Sequence, residues 1–160
     1  MTSLDKARIL AIGVPAALLA GAFGSEIFGG LYPCEMCYWQ RWPHGAAIVF
    51  AALAFTGPAA SSRSLNLTLL AALAIAISGA IGAYHAGVEA KIFEGFTTCT
   101  ALSTGGSPAD LLKQITEAPL VRCDQVQWSL LGISMAGWNA IISLGGAATI
   151  LLLTLRGRRG

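Results

Sequence analysis

The stretch 65–88, LNLTLLAALAIAISGAIGAYHAGV, carries no charged side chain, and its reading decides how the chain must fold. A helix crossing ~30 Å of hydrocarbon needs about 20 apolar residues, and this run supplies them. Its apolar residues are continuous and do not alternate, so the pattern is that of a buried helix and not of a barrel strand. The same charge gap recurs between Arg8 and Glu26, between Arg41 and Arg63, and between Asp124 and Arg156. The charges therefore delimit four spans, placed at 8–29, 40–58, 65–88 and 129–155. The expected fold is an all-α membrane protein, a four-helix bundle occupying residues 1–160 as one domain. Pro15 and Pro43 are expected to kink a helix or to start one.

Composition agrees with this pattern. Across 160 residues 55% are hydrophobic and only 11% charged, against roughly 25% charged in soluble domains. Disorder is excluded and a soluble enzyme is disfavoured. The net charge of +2 is small and scattered, so no nucleic-acid partner is expected.

Orientation follows from where the cations lie. One set of ends holds Lys6, Arg8, Arg63, Arg156, Arg158 and Arg159 against Asp5. The other set holds seven acids, Glu26, Glu35, Glu89, Glu94, Asp110, Glu117 and Asp124, against Arg41, Lys91, Lys113 and Arg122. Both termini and the 59–64 turn are accordingly expected inside, with 30–39 and 89–128 outside. Lys6, Arg8 and the small trio Ala20, Gly21, Ala22 resemble a cleaved signal peptide, but the segment stays apolar past that point and is read as a span. Within 89–128, the residues 108–118 place Leu111, Leu112 and Ile115 on one face of a short amphipathic helix.

All four cysteines fall on the outer side. Cys34 and Cys37 form a Cys-x-x-Cys pair, a spacing that gives a short, easily reduced disulfide and an activated thiol. Cys99 and Cys123 lie far apart in the second outer segment, near the Gly105-Gly106 hinge. A structural pair, a four-cysteine zinc site and a thiol relay are the three readings of such a set; metal sites favour two closely spaced pairs, and no metal is expected. A relay needs an electron acceptor. Arg41 follows Cys37 by one helical turn, where a cation stabilises a thiolate or a reduced oxygen on a bound ring. His85 lies at a comparable depth, and His44 is a weaker candidate. Trp39 and Trp42 can wall a flat ring, although an interfacial aromatic belt explains most of the aromatics.

Three segments together resemble the DsbB family of bacterial inner-membrane thiol oxidases: 32–44, YPCEMCYWQRWPH; 84–89, YHAGVE; and Cys99 and Cys123 followed by Trp128 and 132–139, GISMAGWN. The resemblance runs from about 8 to 155. It implies a multi-pass enzyme of the inner membrane whose cysteines face the periplasm. Such an enzyme reoxidises a DsbA-like thioredoxin-fold oxidase and passes two electrons to a membrane quinone, ubiquinone or menaquinone. It further implies that Cys99 is attacked by the partner and is paired with Cys123, that Cys34 exchanges with that pair, and that Cys37 faces the quinone. Arg41, His85 and, less directly, Gln40 would border the quinone headgroup. A relative dedicated to one substrate oxidase and a non-catalytic four-span protein with structural disulfides are the alternatives. A reductant moving electrons outward would need cysteines near the cytoplasm, and the sequence places none there.

The orientation has a direct check. Alkaline phosphatase fused after Ala60 should be inactive and fused after Gln125 active; the reverse pattern would invert the topology.

Overall fold

The computed structural model describes residues 1–95, 107, 109 and 121–159. Four helices account for most of them: α1 Ser3–Gly29, α2 Glu35–Ala54, α3 Ser62–Glu89 and α4 Met135–Arg159. Three of these, α1, α3 and α4, are long and apolar enough to cross a membrane. The amphipathic helix expected at 108–118 lies outside the described residues, as does Cys99.

Helix limits follow local chemistry. α1 begins before the expected residue 8 because Thr2 and Asp5 form a reciprocal capping box, Thr2 Oγ1 accepting from the Asp5 N–H and Asp5 Oδ2 from the Thr2 N–H, both at 3.1 Å. It stops at Gly30, whose φ of 64° needs no Cβ. Pro15 and Pro43 both lie inside helices, and neither starts one. α4 begins at Met135 and not at 129: two-residue strands β1 Ser129–Leu130 and β2 Ile133–Ser134 pair antiparallel first. Leu131 and Gly132, both at positive φ, form the two-residue turn between them.

α3 packs along both α2 and α4, while α1 closes the bundle against α4 and α2 and barely meets α3. The half of the bundle nearest the chain termini is built from small residues, Ala7, Ala11, Ala47, Ala51, Ala71 and Ala147 around Ile75 and Ile150. Small side chains let helices approach where lipid gives no hydrophobic drive to association. Arg8 ties this end together: Nη1 donates to the carbonyls of Ala54 (3.1 Å) and Gly57 (3.0 Å) at the end of α2, placing a cation where that helix exposes its carbonyls.

A close approach between α3 and α4 sets the site's geometry. A Cβ on Gly82 would sit 2.9 Å from Asn139 Nδ2 and 3.0 Å from the Ala136 carbonyl, so glycine alone lets Asn139 reach across. Gly82→Ala should destabilise the bundle by ~1–3 kcal/mol, as overpacking does, read as a lower denaturation midpoint in detergent; an unchanged midpoint would show that α4 yields without cost.

Candidate thiol site and its cavity

Cys34 is the N-cap of α2, where a serine or aspartate would normally turn back to cap the helix. It makes no such bond, and its sulfur is left for other partners. Cys37, one turn on, brings Sγ to 3.1 Å from Cys34 Sγ. Cys123 is the second sulfur neighbour of Cys34, and the two are buried together with Met36 and Val88. Hydrogen bonding to Cys123 and Cys37, added to burial, pushes the Cys34 thiol up, so it holds its proton at neutral pH.

His85 Nε2 lies 3.6 Å from Cys34 Sγ and 3.2 Å from the Cys123 carbonyl. Its tautomer is set by a chain of contacts that starts at one backbone group. The Met36 carbonyl can only accept, so the Gln40 atom 3.0 Å from it is Nε2. The second hydrogen of that amide points to His85 Nδ1 at 2.9 Å, which therefore accepts and leaves Nε2 as the N–H. Gln40 Oε1 in turn accepts from Asn139 Nδ2 at 2.7 Å. Asn139 Oδ1 then faces His44 Nε2 at 2.9 Å, making that nitrogen an N–H as well. Ser78, whose hydroxyl donates to the Gln40 carbonyl at 2.8 Å, and Ser143, which donates to Asn139 Oδ1 at 2.9 Å, complete the network.

The Cys34 and Cys37 sulfurs and a His85 ring nitrogen lie within 4.8 Å of one another, a spacing a metal ion could bridge. A metal would need a lone pair on the nitrogen facing Cys34. Here that nitrogen carries hydrogen and donates to the Cys123 carbonyl, so the cluster is arranged for thiols.

A second set of contacts holds Cys123 in place. Lys91, at the left-handed φ of 60°, sends Nζ to both the carbonyl and Oδ2 of Asp124 at 2.7 Å, and Arg122 Nε meets Asp124 Oδ1 at 2.9 Å. The Arg122 and Lys91 cations hold the Asp124 carboxyl well below the usual carboxylate range. A depressed carboxylate contributes its full stability above its unfolded value near 4 and loses it as pH falls from there toward the lower folded value, so this clamp persists through neutral and mildly acid pH.

A cavity of about 600 Å³ opens beside the sulfurs. Of the residues expected from sequence, Cys34, Cys37, Gln40, Arg41 and His85 all line it, and so does His44. Arg41 does not stand alone: Nη1 donates to Glu26 Oε2 of α1 at 2.7 Å, and its guanidinium lies 4.7 Å from the Phe23 ring centre. Trp39 and Trp42 are not in the wall; both face outward, and Trp128 and Trp138 take that place. Glu26, Ser78, Glu89 and Asn139 belong to the site but were not named as site residues from sequence, although Glu89 and Asn139 fall within the family-like segments 84–89 and 132–139. For Asn139 the available signal was an amide in an otherwise apolar span, a functional or structural marker by default. The cavity's size, its mostly apolar wall and its few fixed polar groups suit a flat, lipid-soluble ring.

The family model for disulfide bond formation protein DsbB matches residues 5–153. The chain belongs to the DsbB family. Its relatives include a disulfide bond formation protein B of Methylococcus capsulatus, 34% identical over 86% of this chain and 85% of that protein. Another, of Xanthomonas oryzae pv. oryzae, is 28% identical over 90% and 86%. No solved structure matches. Membership makes this DsbB-family chain a membrane oxidoreductase of disulfide bond formation.

The tautomers are open to direct measurement. In histidine-labelled protein, 15N spectra should show His44 and His85 both as the Nε2–H form, and Gln40→Leu should mix the forms of both; a pure Nδ1–H signal at either ring would refute the assignment.

Proposed function

We propose that this chain is a thiol:quinone oxidoreductase of the bacterial inner membrane that reoxidises a periplasmic DsbA-like dithiol oxidase and passes two electrons to a membrane quinone. The observation that carries the reading is the position of Cys34, in contact with Cys37 at 3.1 Å and with Cys123, at the wall of the cavity. A sulfur with two sulfur neighbours can change partner by a short movement, which is what a relay between two disulfides requires. Family membership supports the direction of flow.

In this reading α2 is the fourth crossing, with both termini cytoplasmic and the cysteines periplasmic. Its twenty residues rise about 30 Å, and its polar Gln40 and His44 are buried inward. Cys99 receives the partner's thiolate, and its disulfide mate Cys123 departs with the electron pair. Cys123 then attacks Cys34 of a Cys34–Cys37 disulfide, and Cys37 leaves as thiolate facing the cavity. The free N–H groups of the first turn of α2 favour negative charge there. His85 Nε2–H, held by Gln40, steadies the Cys123 carbonyl and the Cys34 sulfur during the exchange. Arg41, oriented by Glu26, presents a cation to the ring, with His85 and Gln40 completing its border. The quinone, when bound, supplies a two-electron acceptor of higher potential than the partner disulfide.

The test is turnover of a soluble quinone analogue, followed by its absorbance, with purified protein and a reduced thioredoxin-like dithiol oxidase. Cys37→Ser should abolish quinone loss, Cys99→Ser should abolish reaction with the oxidase, and Arg41→Ala should raise KM for the quinone by about tenfold or more, equivalent to ~1.4 kcal/mol. Full turnover by Cys37→Ser would contradict the scheme. Oxidation of only one particular partner would instead indicate a dedicated relative.

A further inference from the structure

Of the chain's two histidines, the relay uses His85 and leaves His44 without a task. His44 is 3% exposed and lines the cavity. Cys37, Gln40, Arg41 and His44 recur at helical spacing along one face of α2, all of them in the cavity wall, so the ring lies about one turn farther from the sulfurs than Arg41. Nε2 is spoken for: its hydrogen faces Asn139 Oδ1 at 2.9 Å, and the hydroxyls of Ser78 and Ser143 lie at 2.9 and 3.5 Å. Nδ1, which points away from Nε2, is buried and has no hydrogen-bond partner among the described residues.

With the hydrogen on Nε2, Nδ1 of the neutral ring is a lone pair and can only accept. A buried acceptor without a donor is costly, and the cavity wall has no donor to spare for it. The α1 residues of that wall from Ala17 to Ala22 carry no polar side chain. The amide hydrogens of Gln40 go to the Met36 carbonyl and to His85, and those of Asn139 go to Gln40 and Ser78. Arg41 is turned to Glu26 and the Ala22 carbonyl. The donor that suits this nitrogen is one carried by the occupant of the cavity.

An oxidised ring offers carbonyl oxygens, which only accept and would set lone pair against lone pair at Nδ1. A reduced ring offers hydroxyls, which donate. Arg41 has the reverse character, with donors and no acceptor. We propose that His44 Nδ1 accepts a hydrogen bond from a ring hydroxyl, so that this end of the cavity selects a hydroquinone over the matching quinone. The inference deepens the function proposed above and rests on it. No covalent bond is made or broken at His44, and no proton is transferred; it acts by hydrogen bonding alone. Favouring the reduced form raises the potential of the bound couple by about 30 mV for each tenfold difference in affinity, which draws electrons from the cysteines toward the cavity.

The experiment titrates the oxidised full-length protein in detergent, labelled with 15N-histidine, with duroquinol, duroquinone or the dimethyl ether of duroquinol. Protein with its disulfides closed gives duroquinone nothing to oxidise, and any electron transfer from duroquinol registers as duroquinone absorbance. The His44 Nδ1 resonance should move upfield with duroquinol, as that of an acceptor does, and stay in place with the other two ligands. Wild type should bind duroquinol about tenfold more tightly than duroquinone, the worth of one hydrogen bond. His44→Gln, whose amide keeps a donor for Asn139 and puts no acceptor at the Nδ1 position, should lose that preference by binding duroquinol more weakly and duroquinone as before. An Nδ1 that ignores duroquinol, a hydrogen found on Nδ1 before any ligand is added, or an equal loss of both affinities in the variant overturns the proposal while leaving quinone binding in place. Should the variant fail to fold, the wild-type contrast between duroquinol and its dimethyl ether decides. Failure of wild type to bind either form of the ring removes the quinone reading, and this inference with it.

Discussion

One backbone carbonyl governs both histidines. Met36 O fixes the orientation of the Gln40 amide, and that orientation passes to His85 on one side and through Asn139 to His44 on the other. Inside an apolar bundle there is no water to substitute for a missing partner, so each polar group must find one in protein. The network therefore couples three helices as well as two imidazoles. α2 contributes Gln40 and His44, α3 contributes Ser78 and His85, and α4 contributes Asn139 and Ser143. Gly82 keeps α3 and α4 close enough for the amides to meet.

This rigidity contrasts with the sulfurs above it. Cys34 lies between two sulfur partners, and the segment bearing Cys123 is fixed by the His85 hydrogen bond and by Lys91 and Arg122 acting through Asp124. Exposed ion pairs of that kind are worth only about 0.2–1 kcal/mol each. In the proposed relay they would keep the register of the Cys123 segment while costing little to release. The site thus combines a stiff polar floor with a lightly tethered upper wall, and the cavity lies between.

Much of this was legible in the sequence, for physical reasons. Charge gaps located the helices because a charge inside lipid is costly, and the Cys-x-x-Cys pair with Arg41 one turn later marked the site because helical spacing is local. What required coordinates was pairing between distant residues. Nothing near Arg41 announces Glu26, and nothing near Gln40 announces Asn139. Glu89 reads as one more outer acid until α3 is seen to end against the sulfurs. The late start of α4 came from Leu131 and Gly132, a turn in which leucine takes a conformation it rarely adopts. Trp39 and Trp42 were misplaced because an aromatic at a helix end can face lipid as readily as a ring.

The central claim is that Cys34 exchanges between two partners, and disulfide mapping during turnover tests it most directly. Protein acid-quenched while it oxidises a reduced thioredoxin-like oxidase in the presence of a quinone analogue should contain a Cys34–Cys123 bond that rises and then decays as the resting pairs return. Finding only Cys34–Cys37 and Cys99–Cys123 at every time point, with the oxidase nonetheless oxidised, would contradict the account.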